Sequence, residues 1–289
     1  MLANLSPLHS TQAIAVAETT TDMITLWLYG KSENTAKAYR RDLNDFLAFV
    51  GGRGVETWTV NDIQAFGTAL KANGLKPASV NRKLLAVKSL LSYGQKLGLL
   101  RANAGAAVPV ERLRNECADR IISEDKVMGM IYTATNPVER CILKMLYATG
   151  CRSAELRNLK WSDATERDGA VQLTIFGKGN KTRQILIKSA LWSEVEIATG
   201  RTGEFVFSTK TGKPWDASRL DKLVKRAGER VGLTDVSAHW FRHSHASHSL
   251  DHGCPIHTVQ ASLGHSSIET TQRYLHARPE DGSGLHLAV

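Results

Sequence analysis

Five polar signals stand in fixed order along the second half of the chain: Arg152 in YATGCRSAEL, a glycine-flanked turn FGKGNKTR around Lys178, the pair His239 and Arg242 in SAHWFRHS, His265 in SLGH, and Tyr274 in TQRYLH. They lie far apart in sequence, so they can share a task only if the segment from about residue 118 onward folds as one unit that brings them together. The residue types name the task. Two guanidiniums can each fork onto the non-bridging oxygens of a phosphodiester. Imidazoles donate hydrogen bonds or move protons near neutral pH. A tyrosine hydroxyl that attacks phosphorus forms a covalent phosphoenzyme that conserves the energy of the broken bond. With the positive charge supplied by side chains, neither a metal nor another cofactor is required.

Charge points the same way. The 289 residues carry a formal net charge of +9, and the sequence pI is about 9.4, which favours a polyanionic partner. Residues 31–117 hold 14 Lys and Arg against 7 Asp and Glu, and residues 118–289 hold 23 against 19, so the surplus is concentrated in the first segment. Cys117, Cys141, Cys151 and Cys254 show no Cys-x-x-Cys spacing, which argues for reduced thiols rather than a zinc ribbon or a disulfide framework. The first basic residue is Lys31, so residues 1–30 lack the positive start of a secretory signal. No apolar run reaches membrane-spanning length. A cytoplasmic protein, nucleoid-associated when bound to DNA, is the expectation.

The pattern divides the chain. Residues 1–20 are rich in Ala, Ser and Thr and read as a flexible arm. Residues 21–98 read as a compact unit of four helices. One, capped by Ser32 or Asn34, buries Ala36, Tyr39, Leu43, Phe46, Leu47 and Val50 and turns Lys37, Arg40 and Arg41 outward. A shorter helix runs through TVNDIQAFGTALKANG. The last follows Pro77, with Val80, Leu84, Val87 and Leu91 as its core stripe and Arg82, Lys83 and Lys88 partly outward. Charged helix faces are usually just solvated; DNA contact by these six is what the family resemblance named below implies. Residues 99–117, rich in small residues, read as a linker. The catalytic unit, 118–276, opens with a helix capped by Ser123, continues with a buried helix ending at Gly150, and contains a hairpin of VQLTIF and RQILIK around the turn 177–182. In the tail, 277–289, Leu285, Leu287, Ala288 and Val289 form an apolar end that reads as disordered or, as the family resemblance named below implies, docks on a neighbouring protomer.

Rival chemistries fit less well. GKGNKT lacks the first glycine and the Gly-Lys-Thr ending of a nucleotide-binding loop. His239, His243, His245, His248, His252 and His257 crowd one region, but no Glu follows His239 as a zinc protease helix needs, so packing and surface roles are the default and no metal ligand is assigned.

The ordered set resembles the tyrosine recombinases of the phage integrase family, and the stretch from about Thr21 to about His276 looks like their bacterial Xer-type branch. The resemblance implies a mainly α fold with a small β-sheet: a helical, SAM-like core-binding domain and a mixed α/β catalytic domain, closing as a C-shaped clamp on DNA. It implies that Tyr274 attacks to leave a 3′-phosphotyrosyl bond and that exchange passes through a Holliday junction. Arg152 and Arg242 would hold the phosphate, with Glu155 orienting Arg152. Lys178 would protonate the leaving 5′ oxygen, with Lys181 and Arg183 as neighbouring alternatives. His239 would transfer the tyrosine proton and His265 would hydrogen-bond the phosphate. The implied partner is double-stranded DNA with paired half-sites, bound by a homotetramer, alone or with a second recombinase. The chain departs from the family at Ala104, Cys151 and Ala154, where Pro, Leu and Ser are usual; none of these is a reacting group. A type IB topoisomerase and a non-catalytic DNA-binding regulator are the competing functions, and a metal phosphodiesterase a third.

Overall fold

The computed structural model describes residues 20–113, 118–177, 181–265, 267–272 and 274. The arm up to residue 19, the turn residue Lys178 and the tail from 275 lie outside them. The chain divides into two compact units, one up to Arg114 and one from Asn115.

In the first unit, α1 (Thr20–Leu28), α2 (Glu33–Phe49), α3 (Val60–Ala72) and α4 (Pro77–Lys96) enclose one core. Local chemistry sets their ends. The Ser32 hydroxyl caps α2, Thr59 and Asp62 form a reciprocal capping box at the start of α3, and Pro77 opens α4. Leu43, Phe46, Ile63, Val87 and Leu90 are fully buried. Phe46 packs edge-on against Trp58 and Phe66 at 4.8 and 5.0 Å, geometry that adds specificity to the burial of large rings.

Two sequence expectations need correcting here. Lys83 is not outward: it is 7% exposed, and its ammonium pairs with Asp45 and, at 3.3 Å, with Asp42. Arg82 pairs with the same Asp42, while Lys88 donates to the Val108 carbonyl. The apolar stripe did put Lys83 at the edge of the core; the buried Asp42 pulls it in. Second, the segment expected as a linker is largely fastened to this unit. Leu100 and Val108 join its core, and Asn81 bonds the Glu111 backbone at both its N–H and its carbonyl.

The second unit begins with α5 (Glu124–Tyr132) and α6 (Pro137–Thr149), which ends in Gly150 at φ +57°. A short helix α7 (Ser153–Arg157) follows. The strands β1 (Ala164–Arg167), β2 (Ala170–Phe176) and β3 (Thr182–Lys188) form an antiparallel sheet in chain order, with Ala164 opposite Leu173 and Thr174 opposite Gln184. β1 was not anticipated. Then come α8 (Ser189–Thr199), α9 (Ala217–Glu229), α10 (Ala238–Asp251), α11 (Ile256–Leu263) and α12 (Ile268–Gln272). The core of the unit gathers Val127, Ile142, Leu146, Leu173, Val195, Val224 and Phe241. No helix of the described residues is long and apolar enough to cross a membrane.

Candidate active site

Two glycines frame the site. Gly150 ends α6 and Gly264 ends α11, both at positive φ, where an L side chain would be strained. They are also tight: a Cβ at Gly150 would lie 2.7 Å from the side chains of His245 and Leu263, and one at Gly264 3.0 Å from Arg183 Cδ. The close approach of these helix ends presents their last carbonyls to one spot, and Arg242 fills it. Arg242, on α10, is 1% exposed; its Nη1 donates to the Gly150 carbonyl at 2.8 Å and its Nη2 to the Leu263 carbonyl at 2.5 Å. Carbonyls at helix C-termini carry partial negative charge, which makes them suitable anchors for a buried cation. Burial above all, and then the Arg152 charge, lowers the Arg242 guanidinium to about 10, so it remains charged at neutral pH.

Glu155, on α7, organises the other arginines. It is 7% exposed. Its Oε1 accepts from Arg152 Nη1 at 2.8 Å and Arg183 Nη1 at 3.0 Å; its Oε2 accepts from Arg183 Nη2 at 2.7 Å and from the Arg152 backbone N–H at 2.8 Å. Burial would raise its pKa, but the hydrogen bonds and charge of Arg183 and Arg152 prevail and hold it near 2. Arg183 lies on the face of β3 that also buries Ile185 and Ile187, and its Nε donates to the Ser262 carbonyl at 2.6 Å. Sequence reasoning offered it only as a substitute for Lys178; the alternation of β3 was the signal that it faces inward. Arg152 keeps an exposed side chain. With Arg183, Lys181 and His265 it borders a cleft of about 640 Å³.

The imidazoles and the tyrosine meet beside this cluster. Tyr274 is 4% exposed, and its hydroxyl is 2.8 Å from His243 Nδ1. The His239 ring, which has an edge open to solvent, packs edge-on against His243 with centroids 4.4 Å apart. His265 lies nearly parallel to Tyr274 at 6.5 Å, and its Nδ1 is 2.9 Å from Thr271 Oγ1. Burial, and then neighbouring cations, hold His265 near 4 and lower His239. Burial, then His239, Arg120, Arg242 and His265, hold His243 near 4. Arg152, Glu155, His239, Arg242, His265 and Tyr274 therefore all belong to one neighbourhood. His243 is the member the sequence reading left among the packing histidines.

Residues 111–281 match the model of the phage integrase family, and residues 23–96 match the phage integrase N-terminal SAM-like domain. The chain belongs to the phage integrase family. A tyrosine recombinase XerC of Herpetosiphon aurantiacus is 32% identical over 86% of this chain and 86% of the relative, and one of Pseudomonas syringae pv. syringae is 32% identical over 85% and 86%. In fold it resembles a lambda integrase dimer bound to a COC′ core site (TM-score 0.74, 18% identity, 90% of this chain and 94% of that one). It also resembles the XerH recombinase bound to difH in a pre-cleavage complex (TM-score 0.69, 21% identity, 93% and 83%). The fold class expected from the tyrosine recombinase resemblance, mainly helical with a small sheet, agrees with this membership.

Proposed function

We propose that Tyr274 is the nucleophile of a tyrosine-type DNA strand transferase, and that the cluster around it binds and activates a DNA phosphodiester. Site-specific recombination is the activity of the family to which the chain belongs, and the protein is an enzyme of that class. The observation that carries the residue roles is the pairing of Arg152 and Arg183 with a single carboxylate, with Arg242 held nearby on two backbone carbonyls and the tyrosine hydroxyl on His243. Three guanidiniums against one Glu155 leave net positive charge for an anion. Arg242 has five N–H donors; the two carbonyls occupy two of them, and the rest serve phosphate oxygens. Arg152 supplies a second fork from the cleft side. Charge aimed at the developing pentacoordinate phosphorus lowers the barrier by several kcal/mol.

The sequence of steps follows. The Tyr274 oxygen attacks phosphorus, the bond to the 5′ oxygen breaks, and the leaving oxygen takes a proton from Lys178. A 3′-phosphotyrosyl bond and a free 5′-hydroxyl result. His265 donates to the phosphate and His239 takes part in removing the tyrosine proton. A hydroxyl of the partner strand then attacks the linkage, and two rounds pass through a Holliday junction. Lys37, Arg40 and Arg41 on α2 are the DNA-facing cations of the N-terminal unit. The DNA carries paired half-sites held by a tetramer, in keeping with the fold neighbours, which include a lambda integrase tetramer bound to a Holliday junction. Action at the nucleoid in the cytoplasm completes the reading.

Tyr274→Phe tests it. On a nicked duplex carrying the site that the wild-type protein selects from a randomised pool, the variant is expected to bind and to form no covalent adduct. An adduct that persists would move the nucleophile elsewhere. Strand exchange between two duplexes by the wild-type protein separates recombination from simple relaxation of supercoiled DNA.

A further inference from the structure

His239 heads the His-x-x-Arg motif, yet its ring packs on another imidazole, that of His243. It is His243 whose Nδ1 lies at hydrogen-bond distance, 2.8 Å, from the hydroxyl of Tyr274. Both partners of that contact are buried, where a hydrogen bond is electrostatically stronger than in water. We infer that His243 is the immediate acceptor of the Tyr274 proton, and that His239, edge-on against it and open to solvent, passes the proton on. The inference rests on Tyr274 being the nucleophile.

The balance of the step is simple. The new bond joins the Tyr274 oxygen to phosphorus, and the phosphorus–O5′ bond breaks with its electron pair going to the 5′ oxygen. The phenolic proton goes to His243 Nδ1, in the tautomer that carries its hydrogen on Nε2. The leaving oxygen is protonated independently by the general acid. Nothing is oxidised or reduced.

The surroundings of His243 give this base a condition. His239 and Arg242 face it from its own helix, Arg120 from the turn before α5, His265 from the end of α11, and Tyr274 from beyond α12. Burial and these neighbours keep the imidazole neutral and weaken it as a base. A phosphate seated between Arg152 and Arg242 brings negative charge into the same cluster, offsets those cations and strengthens the base. Proton removal is thereby tied to occupancy of the site. A buried histidine that merely packs would show no such dependence on the acidity of its partner.

His243→Asn, which keeps a polar atom near Nδ1 but cannot accept a full proton, is the first variant; His243→Gln, closer in volume, is the second should the first misfold. Each is assayed as the full chain on the nicked duplex. Expected is unaltered half-site binding with adduct formation slowed by about 10²–10⁴-fold, the usual contribution of a general base. A ring-fluorinated tyrosine at 274, whose hydroxyl is more acidic, should restore most of that loss in the His243 variant and little of the loss in His239→Asn. Wild-type adduct formation by the variant would overturn the inference, as would a slow variant that the acidified phenol fails to restore. The Tyr274→Phe control separates the two levels: an adduct formed by that protein refutes the nucleophile assignment, whereas its inactivity beside a fully active His243→Asn refutes the assignment of the base alone.

Discussion

In the N-terminal unit Asp42 is completely buried and pairs with Arg82 and Lys83, and Lys83 pairs again with Asp45. In the C-terminal unit Glu155 is buried and pairs with Arg152 and Arg183, while Arg242 nearby is held only by backbone carbonyls among the bonds its guanidinium is seen to make. The two clusters use the same parts in different proportion. Two cations face two carboxylates on α2 and α4, so the charge closes on itself and fixes the packing of the helices. Three guanidiniums stand near one carboxylate around α7 and two of them are bonded to it, so the acid orients those two without cancelling the charge of the cluster. A buried acid can thus consume positive charge or aim it, and the local ratio of charges decides which.

The contrast is broken most sharply at Arg242. Replacing it with Gln is expected to slow adduct formation by roughly 10²–10³-fold, the effect of losing one transition-state donor. Folding should change less. Lowering a guanidinium from 12.5 to about 10 corresponds to a penalty of about 3 kcal/mol for holding the charge in the folded state below that pH. Loss of two charge-assisted bonds, about 1.5–3 kcal/mol each, opposes the relief, and the net cost should lie between about 0 and about 3 kcal/mol. Single-turnover cleavage and urea unfolding together check this. Asp42→Asn should behave in the opposite way, costing about 1.5–3 kcal/mol because the charge-assisted bonds of the buried carboxylate to Arg82 and Lys83 are lost, Lys83 keeping only Asp45. Hydrogen exchange on α2 and α4 would report that loss, while the cleavage rate on saturating DNA stays at the wild-type value. A slowed chemical step in Asp42→Asn would erase the distinction.

Glu155 lies between these extremes because it serves both structure and charge placement. Its carboxyl titrates near 2 when folded, against 4.5 ordinarily, a difference of about 3 kcal/mol. The contribution is complete above about pH 4.5 and is lost as pH falls towards 2. His243 and His265, held near 4 rather than 6.5, act in a higher window: protonation of the unfolded chain drains stability as pH falls from about 6.5 to 4. Glu155→Gln is therefore expected to flatten the lower window of the pH–stability curve and leave the upper one intact. An unchanged curve below pH 4.5 would show that the carboxylate is not held by its arginines.

Much of this was legible beforehand, and the exceptions share a cause. The apolar periods of α2 and α4 were plain because each helix has one buried face, and the alternation of β2 and β3 was plain because one face of the hairpin is covered. The four residues of β1 carry no such alternation, being exposed or half-buried throughout; pairing with β2 alone makes them a strand. α10 is buried nearly all round, so its polar residues give no outward face, and His243 looked like any other histidine of that helix. The motif spacing gave Arg152, His239, Arg242, His265 and Tyr274. It could not give Arg183 or His243, whose roles depend on what stands across from them.

The smallest expected effect concerns the surface cations of the N-terminal unit, where the sequence pattern treated Lys37 and Lys83 alike. Lys37 is exposed and pairs at 2.6 Å with the exposed Glu33, one turn away on α2, a kind of contact that solvent and salt screen. Lys83 is enclosed and doubly paired, so it has no charge left to place on a phosphate without breaking the bonds that hold α4 to α2. Lys37→Ala should leave thermal unfolding where it is and reduce the salt dependence of DNA binding by about one unit of slope, the share of a single phosphate contact. Lys83→Met should do the reverse, altering unfolding and leaving the slope alone. Titration of a labelled half-site duplex at several salt concentrations distinguishes them. Equal slopes for Lys37→Ala and the wild type would remove Lys37 from the DNA-facing set. A reduced slope in Lys83→Met would mean that the buried ammonium turns outward on DNA, and that the charge closed within the N-terminal unit opens when the protein binds.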